Sequence, residues 1–344
     1  MSVKESPQVA FFKHLKENTE GRLVDTIAKI LEISPSGAYS KMNGTNGLSY
    51  NELILIAKHF NVSVDYFVFD QIEDKTPYAF YSDSLKFPHA SFSNYLENSL
   101  NHLIKIGQIP DVHLTYLTSE VPLPYIMQHN YLAAFKMYVW NSTNWMIPQK
   151  SKEGVIELLT NSKDIYKLRN KFVLTYCQYD TTEIWNYNMF NQTYRQLIYF
   201  IQIGKITGHV IPTKILEEIK ELIDTLEQIA TSGLKKFTFK KDSKESGSII
   251  YLNEIMNTHE IIYASSSTFR IHYSHFDAPN YVRSFDDRVC NHTELIIDRQ
   301  KKFSSLLSSP HAQSERLKFF TRLRNELQLF TRIIQTQLES NQNH

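Results

Sequence analysis

The sequence predicts a mainly α protein with a small antiparallel β-sheet: an N-terminal domain of five short helices, then a larger α+β region. Three observations carry this. Apolar residues recur three and four apart along most of the chain. Strand-like alternation is confined to HLTYLTS at 113–119 and to a few short segments gathered between 236 and 274. A polar stretch ending in proline, QIEDKTP at 71–77, separates an ordinary composition from one rich in Tyr, Phe and Trp. A chain of 344 residues favours about two domains. The boundaries fall at 1–70 for the head, 71–77 for a linker and 78–344 for the second domain.

The elements follow in order. Gln8 to Asn18 reads as a first helix, with Val9, Phe12 and Leu15 on one face. In IAKILEIS, Ile27, Ile30 and Leu31 recur at helical spacing beside Ala28. Ser34 offers a side-chain oxygen to cap a third helix, Pro35 is pre-set for its first turn, and Gly44 is placed to end it. Ala38 and Met42 give that helix a short inward stripe, and Ala28 is expected where the second and third helices cross. Ser49 and Glu52 form a capping box that opens a fourth helix, with Leu53, Ile56, Ala57 and Phe60 inward. Ser63 caps a fifth that carries Val64, Phe67 and Val68.

Beyond the linker, helices are expected over 91–106, 125–140, 164–176 and 191–203. The clearest is 214–230, whose seam is Ile215, Ile219, Leu222, Leu226 and Ile229, stopped by Gly233. Strand pattern then appears in KFTFK, SIIYLNE, EIIYASSS and TFRIHYS, with a charged hairpin loop at 240–248. Helices return at 286–307 and 314–338. The last has Phe320, Leu323, Leu327, Phe330 and Ile334 alternating three and four apart, too short a seam for a coiled coil by itself. Leu317, Phe319 and Leu329 widen the stripe, so packing within its own domain is the simpler reading; as the alternative, this seam and that from Ile215 to Ile229 are dimer contacts.

Two short helices with buried apolar faces leave the outer face of the third helix narrow and polar, a shape a DNA major groove admits. The marks IAKILEIS, SGAYSKMNG and LSYNELILIAKHFNVSVDYF, in that order and spacing, resemble the Cro/CI-repressor-type (XRE) helix-turn-helix family over residues 11–69. The rest of the chain carries no such resemblance. The likeness implies a DNA-binding head whose base-reading positions fall on Pro35, Ser36, Gly37, Tyr39 and Ser40, at a helix capped by Ser34. Arg22, Lys41, Asn43, Thr45 and Asn46 would lie near phosphates. Related helices often carry Arg at the positions of Ser40 and Lys41; here only Lys41 is charged.

Composition bounds the rest. Hydrophobic content of 42% and charged content of 21% read as an ordinary globular protein, and the net charge of +1 raises no global basic field. In the head, Glu17, Glu20, Asp25 and Glu32 offset Lys13, Lys16, Arg22 and Lys29, so weak binding by one head is expected. Cys177 and Cys290 are too few and too far apart for a disulfide scaffold or a zinc site, which points to a reducing cytoplasm. No signal-peptide core and no transmembrane run is read.

Candidate chemistry in the second domain is sparse. His272 and His275 form an H-x-x-H, but in a strand residues three apart face opposite sides. His259, Glu260 and Asp277 lie near them in sequence without a recognised ligand spacing. Glu217, Glu218 and Glu221 sit opposite an apolar seam and read as a solvated face. Trp140, Trp145 and Trp185, with the many tyrosines, could line a ligand cavity or simply fill an aromatic core. No Walker loop, G-x-G-x-x-G, G-x-S-x-G or C-x-x-C occurs. The expectation is a cytoplasmic, sequence-specific DNA-binding regulator that binds duplex DNA as a homodimer. It would need no metal, catalytic residue or cofactor and would answer to a small-molecule or protein effector. An enzyme with an accessory head and a protein-interaction module are the competing classes.

Overall fold

The computed structural model describes residues 6–17, 22–60, 62, 64, 80, 92–145, 155–235, 246–255, 260–277 and 279–342. The chain divides into two compact units, Met1–Ala79 and Phe80–His344.

The first unit contains α1 (Pro7–Glu17), α2 (Leu23–Leu31), α3 (Pro35–Met42) and α4 (Tyr50–Phe60). Phe11, Phe12 and Leu15 of α1 meet Leu23, Ile27 and Ala28 of α2, Ala38 of α3 and Ile56 of α4 in one apolar core. Small residues on facing helices let backbones approach, and Ala28 and Ala38 supply them here. The fifth helix expected at 63–68 lies, but for Val64, outside the described residues, as does the linker at 71–77.

The second unit holds nine further α-helices among the described residues, α5 (Phe92–Ile106), α6 (Leu123–Met127), α7 (Asn130–Trp140), α8 (Val155–Asn161), α9 (Lys163–Tyr176), α10 (Asn191–Gln202), α11 (Val210–Ser232), α12 (Asp287–Lys302) and α13 (Gln313–Gln342), and a π-helical turn at Asn141–Trp145. Its strands are β1 (His113–Leu117), β2 (Asp180–Trp185), β3 (Ser248–Asn253), β4 (Ile261–Ser265), β5 (Arg270–Asp277), β6 (Asn280–Ser284) and β7 (Ser304–Leu306). No helix among the described residues is long and apolar enough to cross a membrane.

The expected small antiparallel sheet is overturned. The sheet has seven strands in the order β6-β5-β4-β1-β2-β3-β7, and β1, β2 and β3 run parallel. The expected strand at 236–240 lies outside the described residues. Central β2 hid because its sequence, DTTEIW, looks polar where buried parallel strands are usually apolar. Its Glu183 is fully buried, and four donors meet its carboxylate: Tyr125 Oη at 2.6 Å, Tyr176 Oη at 2.8 Å, Trp185 Nε1 at 2.8 Å and Thr181 Oγ1 at 3.3 Å. Those bonds offset the desolvation that would otherwise bar the residue from the interior.

The topology follows from handedness. The β1–β2 and β2–β3 crossovers advance in the same direction across the sheet, so right-handed connections put α6 to α11 on one face. Leu114, Tyr116, Trp185, Ile250, Leu252 and Ala264 meet those helices in the main core. On the other face, Leu117, Ile184, Ile261 and Tyr263 are covered by Cys290 and Ile297 of α12. The 16 residues of α12 extend about 24 Å, enough to carry the chain from the β6 side of the sheet towards β7 at the opposite edge. Its N-terminus is capped by Asp286, which accepts from the Arg288 amide.

Three expectations for this unit are corrected. Both apolar seams offered as dimer contacts are interior: Ile215, Ile219, Leu222, Leu226 and Ile229 of α11 are fully buried, as are Phe320 and Leu323 of α13, and the two helices pack together. Leu317 and Leu329, expected to widen the stripe, are exposed. Glu218 is no solvated residue, for its carboxylate accepts from the backbone amides of Asn130, Tyr131 and Leu132 and so caps α7. Of the two readings offered for Trp185, the aromatic core is the one found, with its ring stacked on Phe319.

Candidate nucleic-acid interface and interior cavity

The turn between α2 and α3 is short because Glu32 adopts the left-handed conformation, φ 54°, and the amides of Glu32 and Ile33 both return to the Ala28 carbonyl. Ser34 then caps α3, its Oγ accepting from the Gly37 amide at 3.2 Å, with Pro35 in the first turn. Gly44, at φ 75°, ends the helix; a Cβ there would come within 3.1 Å of Val9.

This geometry turns Ala38 inward and leaves the opposite face of α3 to solvent. Ser36, Tyr39 and Asn43 recur at helical spacing on that face and are exposed, Tyr39 by 59%. Ser34 and Pro35 are exposed beside them, and Gly37 and Ser40 are half-buried. A Cβ on Gly37 would make only ordinary contacts, so the glycine keeps the face low and is not demanded by the fold. Thr45 and Asn46 are exposed just beyond the helix, where their amides return to the Ser40 carbonyl. Arg22 is exposed and 3.6 Å from Asp25, so a neighbouring anion answers its charge.

Lys41 departs from its expected role. Its side chain is only 15% exposed, and its Nζ donates to Glu52 Oε2 at 2.9 Å and to the Gly47 carbonyl at 3.0 Å. The one cation of α3 therefore ties α3 to α4 and is not poised over a phosphate. Glu52 also closes the capping box, accepting from the Ser49 amide at 2.8 Å while its own amide donates to Ser49 Oγ at 3.3 Å. That amide first, and Lys41 next, hold the Glu52 carboxyl below the usual carboxylate range.

A further residue escaped sequence reasoning. Gln8 of α1 donates from Nε2 to the carbonyls of Lys41 at 2.6 Å and Asn46 at 2.7 Å, and its Oε1 accepts from the Leu48 amide at 3.1 Å. One amide side chain thus fixes the end of α3 and the loop after it. A glutamine in the first turn of an amphipathic helix carries no signal of such a role.

In the second unit, a cavity of about 170 Å³ lies between α5 and the β1-β4-β5-β6 part of the sheet. Glu260, which directly precedes β4, reaches it from the carboxyl end of β1 and is 8% exposed. Its Oε1 accepts from Tyr281 Oη at 2.7 Å. Its Oε2 stands 3.4 Å from His275 Nδ1 and 3.5 Å from Ser119 Oγ. Cross-strand pairing makes the row, since Ile261 opposes Ser274 and His275 opposes Tyr281. Burial, with the neighbouring Glu120 charge, pushes the Glu260 carboxyl up to about 7, against the bonds from Tyr281 and Ser119 and the nearby Lys136. Burial also pushes His275 down.

His272 and His275 face opposite sides, as strand geometry requires. His272 is buried under α12, its Nδ1 2.8 Å from Thr293 Oγ1, and burial pushes it down to about 4. Thr293 gives its one hydroxyl proton to the Val289 carbonyl, so His272 Nδ1 is the donor to it. Four tyrosines, Tyr95, Tyr116, Tyr273 and Tyr281, line the cavity, and no tryptophan does so among the described residues. No family model matches this chain, and neither do any of the curated proteins or solved structures compared with it.

Proposed function

We propose that this protein is a sequence-specific, DNA-binding transcriptional regulator of the cytoplasm, with α3 of the head docking in the major groove and the larger unit acting as a sensing domain. It binds no cofactor and has no enzymatic role in this reading. The observation that carries the reading is the exposed, low, polar face of Ser36, Tyr39 and Asn43 on a helix held from behind by Ala38, Gln8 and Lys41. Hydroxyls, a phenol and an amide on such a face can meet base edges.

Arg22 is answered by Asp25 and Lys41 by Glu52, so a single head has little charge with which to grip phosphates. Two heads carried by a homodimer would gain by effective concentration. The contact would use a surface other than the two interior seams.

The test is retention of genomic fragments by the intact protein at fixed salt, followed by binding of the selected site and of random DNA. Tyr39→Ala and Ser36→Ala should each cost about 1–3 kcal/mol on the selected site and far less on random DNA. Equal losses on both, or no selection above random fragments, would overturn the assignment.

A further inference from the structure

We propose that the cavity between α5 and the sheet binds a small organic cation, an amine borne on an apolar body of about one ring, with its ammonium group against Glu260.

Position argues first. Parallel β1 and β2 lie to one side, and antiparallel β4 flanks β1 on the other. Here the ladder changes from parallel to antiparallel, and polar side chains gather at the carboxyl end of β1. The row of Glu260, His275 and Tyr281 stands at the carboxyl end of β1, next to Ser119.

Size argues next. A dry engineered cavity of about 150 Å³ accepts benzene. A space of about 170 Å³ therefore suits one ring with a short arm.

Chemistry selects the cation. Tyr95, Tyr116, Tyr273 and Tyr281 line the cavity, and aromatic faces attract cations through their quadrupole. The carboxylate of Glu260 offers about four acceptor positions. Tyr281, Ser119 and His275 approach three of them, leaving capacity for a ligand donor. Burial at this site makes a charge-assisted bond stronger than in water. Arg283 also lines the cavity, with its Nη1 2.9 Å from His102 Nε2. On β6 it lies two residues beyond Tyr281, about 7 Å along the strand, and Lys136, the cation nearer Glu260, is already paired with Glu120. Of the charged groups that line the cavity, Glu260 is the anion an ammonium group would meet.

The test is calorimetric titration of the intact protein at pH 8, where the Glu260 carboxyl is ionised, with phenethylamine, 2-phenylethanol and phenylacetate, three probes of one carbon skeleton and different charge. On the wild-type chain the amine should bind at least about tenfold more tightly than the alcohol, and the acid most weakly. Glu260→Gln should erase the amine's advantage over the alcohol while leaving the circular-dichroism spectrum unchanged. Equal affinities, a preference for the acid, or no heat with any probe would overturn the proposal. The wild-type ranking decides even if the variant folds poorly. The inference rests on the sensing-domain reading only for its effect on DNA. If the amine binds as ranked and DNA affinity does not move, the site stands and the sensing role falls.

Discussion

Lys41 Nζ lies 2.9 Å from Glu52 Oε2, so the only cation of α3 is joined to the N-terminus of α4. On the resemblance alone Lys41→Ala would flatten the salt dependence of DNA binding by about one phosphate contact. The geometry predicts otherwise. Lys41→Ala should speed amide exchange at the start of α4 and leave the salt slope nearly unchanged. Glu52→Ala removes the capping acceptor as well and should cost more, about 1–2 kcal/mol. Hydrogen exchange on the intact protein, with DNA titrations at several salt concentrations, separates the two outcomes.

Gln8 satisfies three backbone groups beyond its own helix. Gln8→Ala should free the segment Asn43–Leu48 and cost about 1–3 kcal/mol, since two half-buried backbone groups, the Lys41 carbonyl and the Leu48 amide, lose their partner. Exchange should rise at Leu48 before it rises in α2. A loop that stays protected in the variant would contradict this assignment.

The α13 seam is core. Leu323→Ala should lower stability by about 2–5 kcal/mol, and Leu327→Asp should unfold the second unit without yielding a folded monomer. Circular dichroism with sedimentation of the same samples checks both. A well-folded Leu327→Asp protein of reduced mass would show that the seam lies at a surface.

Glu260 sets a pH dependence with a definite sign. Its carboxyl sits at about 7 in the folded chain against an ordinary value of 4.5, so the folded state keeps a proton that the unfolded state has lost. The associated stability is fully present below about 4.5 and is lost as pH rises through about 7, up to about 3 kcal/mol. Glu260→Gln mimics the neutral form and should gain on the wild type between pH 5 and pH 8. His129 and His272, pushed down to about 4 by burial, act in the opposite sense but are common to both proteins. Urea midpoints at the two pH values measure the difference, and parallel curves would refute the assignment.

The head was largely legible because its determinants are local. Ser34 with Gly37, the Ser49–Glu52 box and the Ile27–Leu31 stripe each lie within one or two helical turns, and they appear where their spacing places them. The exposed face of Ser36 and Tyr39 follows from the same periodicity. The partners of Lys41 and Gln8 lie many residues away, across turns whose path only folding sets.

By itself, then, the sequence determined the helices of the head with their local caps and the long α11, because hydrogen bonding within a turn and apolar periodicity are read at short range; it ran α6 and α7 together, left α8 unread and carried the helix of α12 through β7. The tertiary structure alone decided the rest. It made polar β2 a central strand by surrounding Glu183 with donors from α6 and α9, and turned Glu218 into a cap for α7. It set Glu260, His275 and Tyr281 in one row at the mouth of a tyrosine-lined cavity. A buried polar group is tolerable only when distant residues answer it, and chain order does not disclose which residues those are.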